Sequence, residues 1–181
     1  MNNSPRQQPS PPPAPGRPTG RVMLVLAWLI VLALLSRFFS GVLDYRENPN
    51  QQLQGSLVDG IAEVVLKGNR NGHYVAHGSI NGQRIVFMVD TGATNVAIPE
   101  ALAKQLGLRR GPAHRVMTAN GSARAYATRI DLLTIGDIVL HNVSASINPG
   151  MQGEGILLGM SALAELELVH RDGQLLMRQQ Q

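Results

Sequence analysis

Cysteine is absent from this chain of 181 residues, and aromatic residues make up only 4% of it. Without cysteine the chain has no disulfide, no thiolate ligand for a metal ion and no thiol nucleophile. Few aromatic side chains also leave little surface on which the bases of a nucleic acid stack. These absences exclude disulfide-stapled folds, cysteine-based metal sites and cysteine catalysis.

A concentrated positive charge is also missing from most of the chain. Residues 1–54 hold five Arg against Asp44 and Glu47, a net charge of +3, whereas residues 55–181 hold eleven Lys and Arg against ten acids, a net charge of +1. Binding to nucleic acid depends on many cations facing the phosphates. We therefore predict no nucleic-acid partner, and a DNA- or envelope-associated scaffold built on the basic N-terminus is disfavoured.

Familiar patterns for a serine nucleophile or a metal site are lacking as well. No Ser lies in a Gly-x-Ser-x-Gly sequence, the elbow that presents a nucleophilic serine. His73 and His77 are four residues apart, and in the strand that Gly72 and Gly78 favour they lie about 13 Å apart, too far to share one ion. We predict neither a metal nor a cofactor.

The N-terminal part of the chain is organised as a tail, an apolar segment and a tether. Residues 1–20 are rich in Pro, Gln, Asn and Ser and are predicted to be disordered. Residues 22–35 are fourteen uninterrupted apolar residues, a length shared by signal sequences, core helices and membrane spans. We predict a transmembrane anchor at 21–43, a polar tether at 44–56 and a globular domain at 57–181.

The flanking residues favour an anchor over a cleaved signal sequence. Small residues at positions −3 and −1 of a cleavage site are missing. Arg6, Arg17 and Arg21 precede the segment without any acid among them, against Arg37 and Arg46 on the other side. By the positive-inside rule the N-terminus lies in the cytoplasm and the domain on the opposite side of the membrane.

From residue 57 onward the pattern predicts a mostly-β, closed-barrel-like domain. Short apolar or alternating segments flank Gly-containing turns, which is typical of β-hairpins. The predicted turns are Asn81-Gly82, Thr118–Ser122, Gly136-Asp137 and Asp172-Gly173. The strands predicted around the second and third turns are 115–117, 123–130, 132–135 and 138–147. Short helices are predicted from Pro99 to Leu106 and from a Ser161 cap to Glu165.

The most informative stretch is Asp90-Thr91-Gly92, which follows the apolar run Ile85–Val89. A buried strand delivers the carboxylate into a tight loop, and Gly92 lets the backbone turn close to it. Two carboxylates that face each other in apolar surroundings share one proton, so one acts as acid and the other as base. The segment therefore indicates carboxylate catalysis on an amide or ester.

The pair VDTGAT and, downstream, LLGMSAL resembles the retropepsin-like aspartic proteases, and most closely their bacterial single-pass membrane branch. The resemblance covers about Gly72 to Met177. It implies a single-lobe acid-protease fold, in which an apolar-apolar-Gly strand passes beside the Asp loop. The viral members usually carry an Arg shortly after that Gly, where this chain has Met160-Ser161.

The resemblance also implies a membrane-anchored endopeptidase that works as a homodimer on peptide or protein substrates. The sequence has one Asp-Thr-Gly, so Asp90 of each subunit is expected at a two-fold axis. The Thr91 hydroxyl is expected to interlock the two loops, and the Thr94 hydroxyl to orient the carboxylate. The implied compartment is the bacterial inner membrane, with a periplasmic protease domain.

The hairpin tip after the first short helix is expected to act as a flap over the substrate. Its residues Ala119, Asn120 and Gly121 are small or polar, so the backbone can approach a bound peptide closely. An ordinary exposed turn is the other interpretation of this tip. For the whole domain, the alternative is a non-catalytic, membrane-tethered dimerisation or peptide-binding module of the same fold, against which the intact Asp-Thr-Gly argues.

Overall fold

The structure is a computed structural model. It describes residues 19–53, 55–58, 60–118, 121–153 and 155–179. The predicted disordered tail lies outside the described residues, apart from its last two positions. The described residues fall into two compact units that divide between Gly41 and Val42.

A single long helix, α1 (Thr19–Glu47), contains the predicted membrane segment. Its stretch Val22–Phe39 is long and apolar enough to cross a membrane, and none of that stretch is buried in the structure. A core helix of a globular domain would bury one face. A helix of this length and composition is suited to a membrane anchor or to a signal sequence.

The second unit is built mostly from β-strands. The strands described are β1 (Gly55–Val58), β2 (Ile61–Lys67), β3 (Val75–Ile80), β4 (Gln83–Val89), β5 (Val96–Pro99), β6 (Ala113–Thr118), β7 (Gly121–Ile135), β8 (Ile138–Asn148), β9 (Gly155–Leu158), β10 (Glu167–Arg171) and β11 (Gln174–Gln179). Two short helices, α2 (Glu100–Gln105) and α3 (Met160–Leu163), lie between them.

Seven of these strands form a sheet in the order β3-β4-β9-β5-β8-β7-β6, and an additional β3–β7 pairing closes it. The other four form a sheet in the order β1-β2-β11-β10. The closure confirms the predicted mostly-β barrel with short helices. The core is lined by aliphatic side chains such as Leu66, Ile98, Leu133 and Leu158, all fully buried, together with Phe87.

Two of the predicted turns are confirmed, whereas Thr118, Gly121 and Ser122 of the predicted Thr118–Ser122 turn lie in β6 and β7. Asn81 and Gly82 take positive φ of 50° and 80°, as do Asp172 and Gly173 at 50° and 71°, the backbone that a two-residue hairpin of this kind requires. Each pair joins two antiparallel strands, β3 to β4 and β10 to β11.

The strand predicted to end at residue 130 and the one predicted to begin at 132 are a single strand, β7. Asp131 is exposed, so its carboxylate stays in solvent while the backbone remains extended. This length matters for the barrel, because the first part of β7 pairs with β6 and the last part with β3.

The predicted tether at 44–56 is more ordered than its polar composition indicates. Helix α1 continues to Glu47, and Asn50 is only 5% exposed. The Asn50 side-chain amide donates to the carbonyls of Lys67 (2.9 Å) and Val75 (2.7 Å) and accepts from the Lys67 N–H (2.8 Å). A polar side chain therefore joins β2 to the beginning of β3.

Candidate active site

Asp90 is positioned by the strand that precedes it. Strand β4 runs parallel to β9, with Val89 opposite Leu158, and the pairing continues one step further because the Asp90 N–H donates to the Leu158 carbonyl at 3.1 Å. The backbone of Asp90 is therefore fixed by the sheet, and its half-buried side chain leaves the sheet at a defined point.

The loop after Asp90 folds back onto the carboxylate. The Gly92 N–H donates to Asp90 Oδ1 at 2.9 Å, and the Ala93 N–H donates to the Asp90 carbonyl at 3.2 Å. Thr94 was expected to orient the carboxylate, but in the described part of the chain the hydrogen bond to it comes from Gly92, not from the Thr94 hydroxyl. Thr91 is exposed on the same loop.

The second motif passes beside this loop, in van der Waals contact with its backbone. The N–H groups of Met160 and Ser161 donate to the carbonyls of Ala93 (2.8 Å) and Thr94 (2.9 Å). A Cβ on Gly159 would lie 2.7 Å from the Ala93 carbonyl oxygen. Only a glycine fits between the strand end and the loop, which explains the Leu-Leu-Gly sequence physically.

The prediction that Ser161 caps the second short helix is wrong. The residue at the start of α3 is Gly159, and no side chain caps this helix. The Ser161 hydroxyl instead donates to the Ser144 carbonyl at 2.6 Å and accepts from the Val96 N–H at 3.0 Å. It thereby ties β5 and β8 together behind the Asp90 loop.

An open cavity of about 1310 Å³ lies over Asp90. Its walls come from the Asp90 loop, β6, the first part of β7 and the end of β8 with the loop that follows. Gly92 and Thr94 line it, whereas Thr91 is not among the residues that line it. The size and openness of the cavity suit an extended peptide better than a small enclosed ligand.

The β6–β7 hairpin, where the flap was predicted, contributes one wall of this cavity. Thr118 and Gly121 line it, and the Thr118 hydroxyl donates to the Gly121 carbonyl at 2.8 Å across the tip. Gly121 has a φ of +103°. Ala119 and Asn120, the other predicted flap residues, lie outside the described residues.

Sequence reasoning missed a polar cluster in the same cavity. The Asn95 side-chain amide donates to Ser146 Oγ at 3.4 Å, and His114 Nε2 lies 3.1 Å from the same oxygen. Ser146 is a small polar residue between Ala145 and Ile147, which are buried. In the sequence Ser146 continues the alternation of apolar and polar residues from Val143 to Ile147, so no local signal distinguished it.

The two histidines weighed as metal ligands do not meet. His77 lies on β3, and burial, followed by the charge of Arg84, lowers the pKa of its imidazole. His73 is exposed and precedes the strand. Among the residues that the structure describes, no group of three or more His, Asp or Glu is close enough to hold a metal ion.

Comparison with known proteins gives this site a context. Residues 76–165 match the family described as "gag-polyprotein putative aspartyl protease". An uncharacterized protein in the cobV 5' region of Sinorhizobium sp is 34% identical over 164 residues, which span 80% of this chain and 67% of that protein. An uncharacterized protein of Rickettsia prowazekii, RP867, is 29% identical over 119 residues, 64% of this chain and 51% of that protein.

A solved structure agrees with the sequence comparison. The crystal structure of a retropepsin-like aspartic protease from Rickettsia conorii is similar, with a TM-score of 0.56 and 25% identity over 71% of this chain and 96% of that one. The matched segment contains Asp90, its loop and Gly159. Sequence, fold and loop geometry agree, and this chain belongs to the retropepsin-like aspartic protease family.

Proposed function

We propose that this chain is a membrane-anchored aspartic endopeptidase that hydrolyses peptide bonds as a homodimer. One observation carries the proposal: the Asp90 carboxylate is held by the Gly92 N–H at 2.9 Å in an open cavity large enough for a peptide. A carboxylate fixed in this way has little freedom to lose when substrate binds, which favours acid–base chemistry.

The dimer follows from the number of carboxylates that the reaction needs. Asp90 is the only acid among the described residues that line the cavity, and the sequence holds a single Asp-Thr-Gly. A second Asp90 from another copy of the chain supplies the partner at a two-fold axis. Thr91, exposed beside it, is the loop residue we place at the contact between the two copies.

In the proposed mechanism the two Asp90 carboxyl groups share one proton, since two like charges in contact resist simultaneous ionisation. The ionised carboxylate takes a proton from a water molecule, which attacks the scissile carbonyl carbon. The protonated carboxyl donates its proton to the carbonyl oxygen. No metal or cofactor takes part in this mechanism.

We further propose that α1 anchors the enzyme in a bacterial inner membrane with the catalytic domain in the periplasm. The long apolar stretch Val22–Phe39 supports the anchor, and the arginines at 6, 17 and 21 support this orientation. A reporter that is active only in the periplasm, fused after Gln181, should be active in a bacterial host. Activity of a cytoplasmic reporter at the same junction would reverse the orientation.

Substitution of Asp90 tests the proposed chemistry. We expect Asp90→Asn to lower cleavage of an unstructured protein at mildly acidic pH by about a thousandfold or more, because the amide keeps the size of the side chain but does not exchange the proton. Asp131→Asn is the matched control, since Asp131 is exposed on β7 and does not line the cavity.

The melting temperature of both variants should stay close to that of the parent, which separates loss of chemistry from loss of fold. Activity of Asp90→Asn within tenfold of the parent would remove Asp90 from the mechanism. The non-catalytic module would then be the better account of the fold.

A further inference from the structure

Three polar side chains from distant parts of the sequence converge in the cavity beside Asp90. Asn95 follows the Asp90 loop, His114 lies on β6 and Ser146 lies on β8. Ser146 Oγ is the common partner, 3.4 Å from Asn95 Nδ2 and 3.1 Å from His114 Nε2. Ser146 is only 4% exposed, so its hydroxyl is held in one place.

Apolar side chains share the cavity lining with this cluster. Ala97, Val116, Ala123, Ala125 and Leu157 line the same cavity, together with polar residues such as Thr94 and Asn148. Where a cavity has apolar walls, a few fixed polar groups determine which ligand binds and in which orientation. The cluster therefore marks a subsite with its own selectivity rather than a general polar surface.

One tautomer of the His114 ring leaves an N–H that no described residue accepts. Ser146 Oγ accepts from Asn95, so its single O–H is available for His114 Nε2. With Nε2 accepting, the ring proton lies on Nδ1, and a doubly protonated ring also carries a proton there. Nδ1 has no hydrogen bond among the described residues. A ligand that fits this subsite therefore carries a group that accepts a hydrogen bond from the Nδ1–H of His114.

The charge around the subsite favours an anionic acceptor. From residue 101 to 130 the sequence has no Asp or Glu. Arg115 also lines the cavity, and no ion pair joins it to a described residue. Among the cavity residues the structure describes, Asp90 is the only acid. A carboxylate placed near His114 therefore meets a donor and a neighbouring cation, with Asp90 as the only competing acid among the described cavity residues.

We propose that the Asn95–His114–Ser146 cluster is a specificity subsite that selects peptide substrates with a Glu or Asp side chain near the scissile bond. This inference rests on the proposed peptidase activity. It assigns His114 as the residue that contacts the substrate carboxylate, and Asn95 and Ser146 as positioning residues that fix the imidazole.

The test uses the full chain in detergent micelles and a peptide mixture in which each position on either side of the scissile bond is varied in turn. We expect one position to favour Glu or Asp over Leu by about tenfold in kcat/KM, the scale of one charge-assisted hydrogen bond at a part-exposed site. His114→Leu should lower kcat/KM for the Glu and Asp peptides to that of the Leu peptide measured with the same variant, which removes the preference. Ser146→Ala should weaken the preference, because the ring loses its fixed partner.

Two further variants separate a specific contact from general charge or folding effects. His114→Gln keeps an N–H donor without a charge. This variant should still cleave Glu peptides better than Leu peptides, but it should lose much of the preference for Glu peptides over peptides with Gln at the same position. Arg129→Gln, a change of an exposed arginine that does not line the cavity, should keep the full preference. Thermal melting of each variant shows whether the fold is intact.

Each outcome supports the subsite or overturns it. If the parent cleaves peptides and Asp90→Asn does not, the proposed peptidase activity stands. In that case the subsite alone is overturned if the parent shows no preference for Glu or Asp, or if His114→Leu keeps the same preference. If His114→Leu loses Glu and Leu peptides equally, His114 supports the fold of the site and is not a selectivity residue. A parent that cleaves no peptide overturns the peptidase together with this inference.

Discussion

Backbone amides and close packing, rather than side-chain hydroxyls, hold the Asp90 carboxylate. Gly92 donates to Asp90 Oδ1, the sheet fixes the Asp90 N–H against Leu158, and the chain at Gly159 passes beside the loop. Each of these contacts involves main-chain atoms, which have fewer alternative positions than a threonine rotamer. The substitutions expected to displace the Asp90 loop most are therefore those that force its backbone away from the neighbouring backbone.

Substituting Gly159 tests this argument. Gly159→Ala places a methyl group 2.7 Å from the Ala93 carbonyl oxygen, and neither segment can move without breaking sheet hydrogen bonds. We expect a loss of about 3 kcal/mol of folding free energy, or a melting temperature lower by roughly 6–12 °C, together with loss of activity. Thermal denaturation followed by circular dichroism measures the shift.

Gly155→Ala, at the beginning of β9, is the matched control, since a Cβ there has no atom within 4 Å. It should melt within a degree or two of the parent. Equal stability of the two variants would contradict the close contact between Gly159 and the Asp90 loop.

At the scale of elements, the β6–β7 hairpin lies at an edge of the barrel sheet. β6 is at the edge of the seven-stranded sheet and pairs only with β7 there. Met117 near its tip is 81% exposed. An edge hairpin with an exposed tip opens at lower cost than a central strand, which is what a cover over an open cavity requires.

Gly121 provides a test of the hairpin as a flap. At a φ of +103° a β-branched residue is strained, so Gly121→Val should distort the tip and lower turnover by up to about a hundredfold. Gly173→Val is the control: it has φ of +71° in the β10–β11 turn and does not line the cavity. Both variants should lose similar stability in thermal denaturation, while only Gly121→Val loses turnover on a peptide substrate.

If turnover and KM of Gly121→Val match those of Gly173→Val, the tip is an ordinary exposed turn. The residue pair thus distinguishes the two interpretations of this hairpin without relying on stability alone.

Features set by neighbouring residues could be predicted from the sequence, and features set by distant residues could not. The Asn81-Gly82 and Asp172-Gly173 turns and the Asp90 loop depend on local backbone preference. The hydrogen bonds of Ser146 join residues 32 and 51 positions apart, and no local sequence pattern predicts that these residues lie in contact. The same reason explains Ser161, whose hydroxyl bonds to β5 and β8 although its position resembles a helix cap.

At the scale of the whole molecule, the proposed enzyme is complete only when two copies of the chain meet. One chain supplies a single Asp-Thr-Gly, so the concentration of active sites follows the concentration of dimer rather than of chain. Confinement of both copies to one membrane by α1 would raise their effective concentration. Proteolytic activity and dimer formation should therefore rise and fall together as the concentration of the chain changes.

Coexpression of the parent with an equal amount of the Asp90→Asn chain tests this coupling. Random pairing leaves fewer dimers with two carboxylates, so activity per parent chain should fall to about half of its value alone. Coexpression with an inert membrane protein is the control and should leave activity per parent chain unchanged. Activity that stays proportional to the amount of parent chain would show that one Asp90 suffices.

The hydrogen bonds of Asn50 determine where the β-rich domain can be separated from α1 without losing stability. Its amide completes the hydrogen bonding of the Lys67 N–H and carbonyl and of the Val75 carbonyl. Removal of Asn50 would leave these part-buried backbone groups of Lys67 and Val75 without a hydrogen-bond partner. Each lost partner costs about 1–3 kcal/mol of folding free energy where water does not replace it. Asn48 in turn holds Asn50, because its Oδ1 accepts from the Asn50 N–H at 3.0 Å. A shed or truncated form that keeps its stability must therefore begin at or before Asn48, and a cut inside residues 50–56 would release a weakened domain.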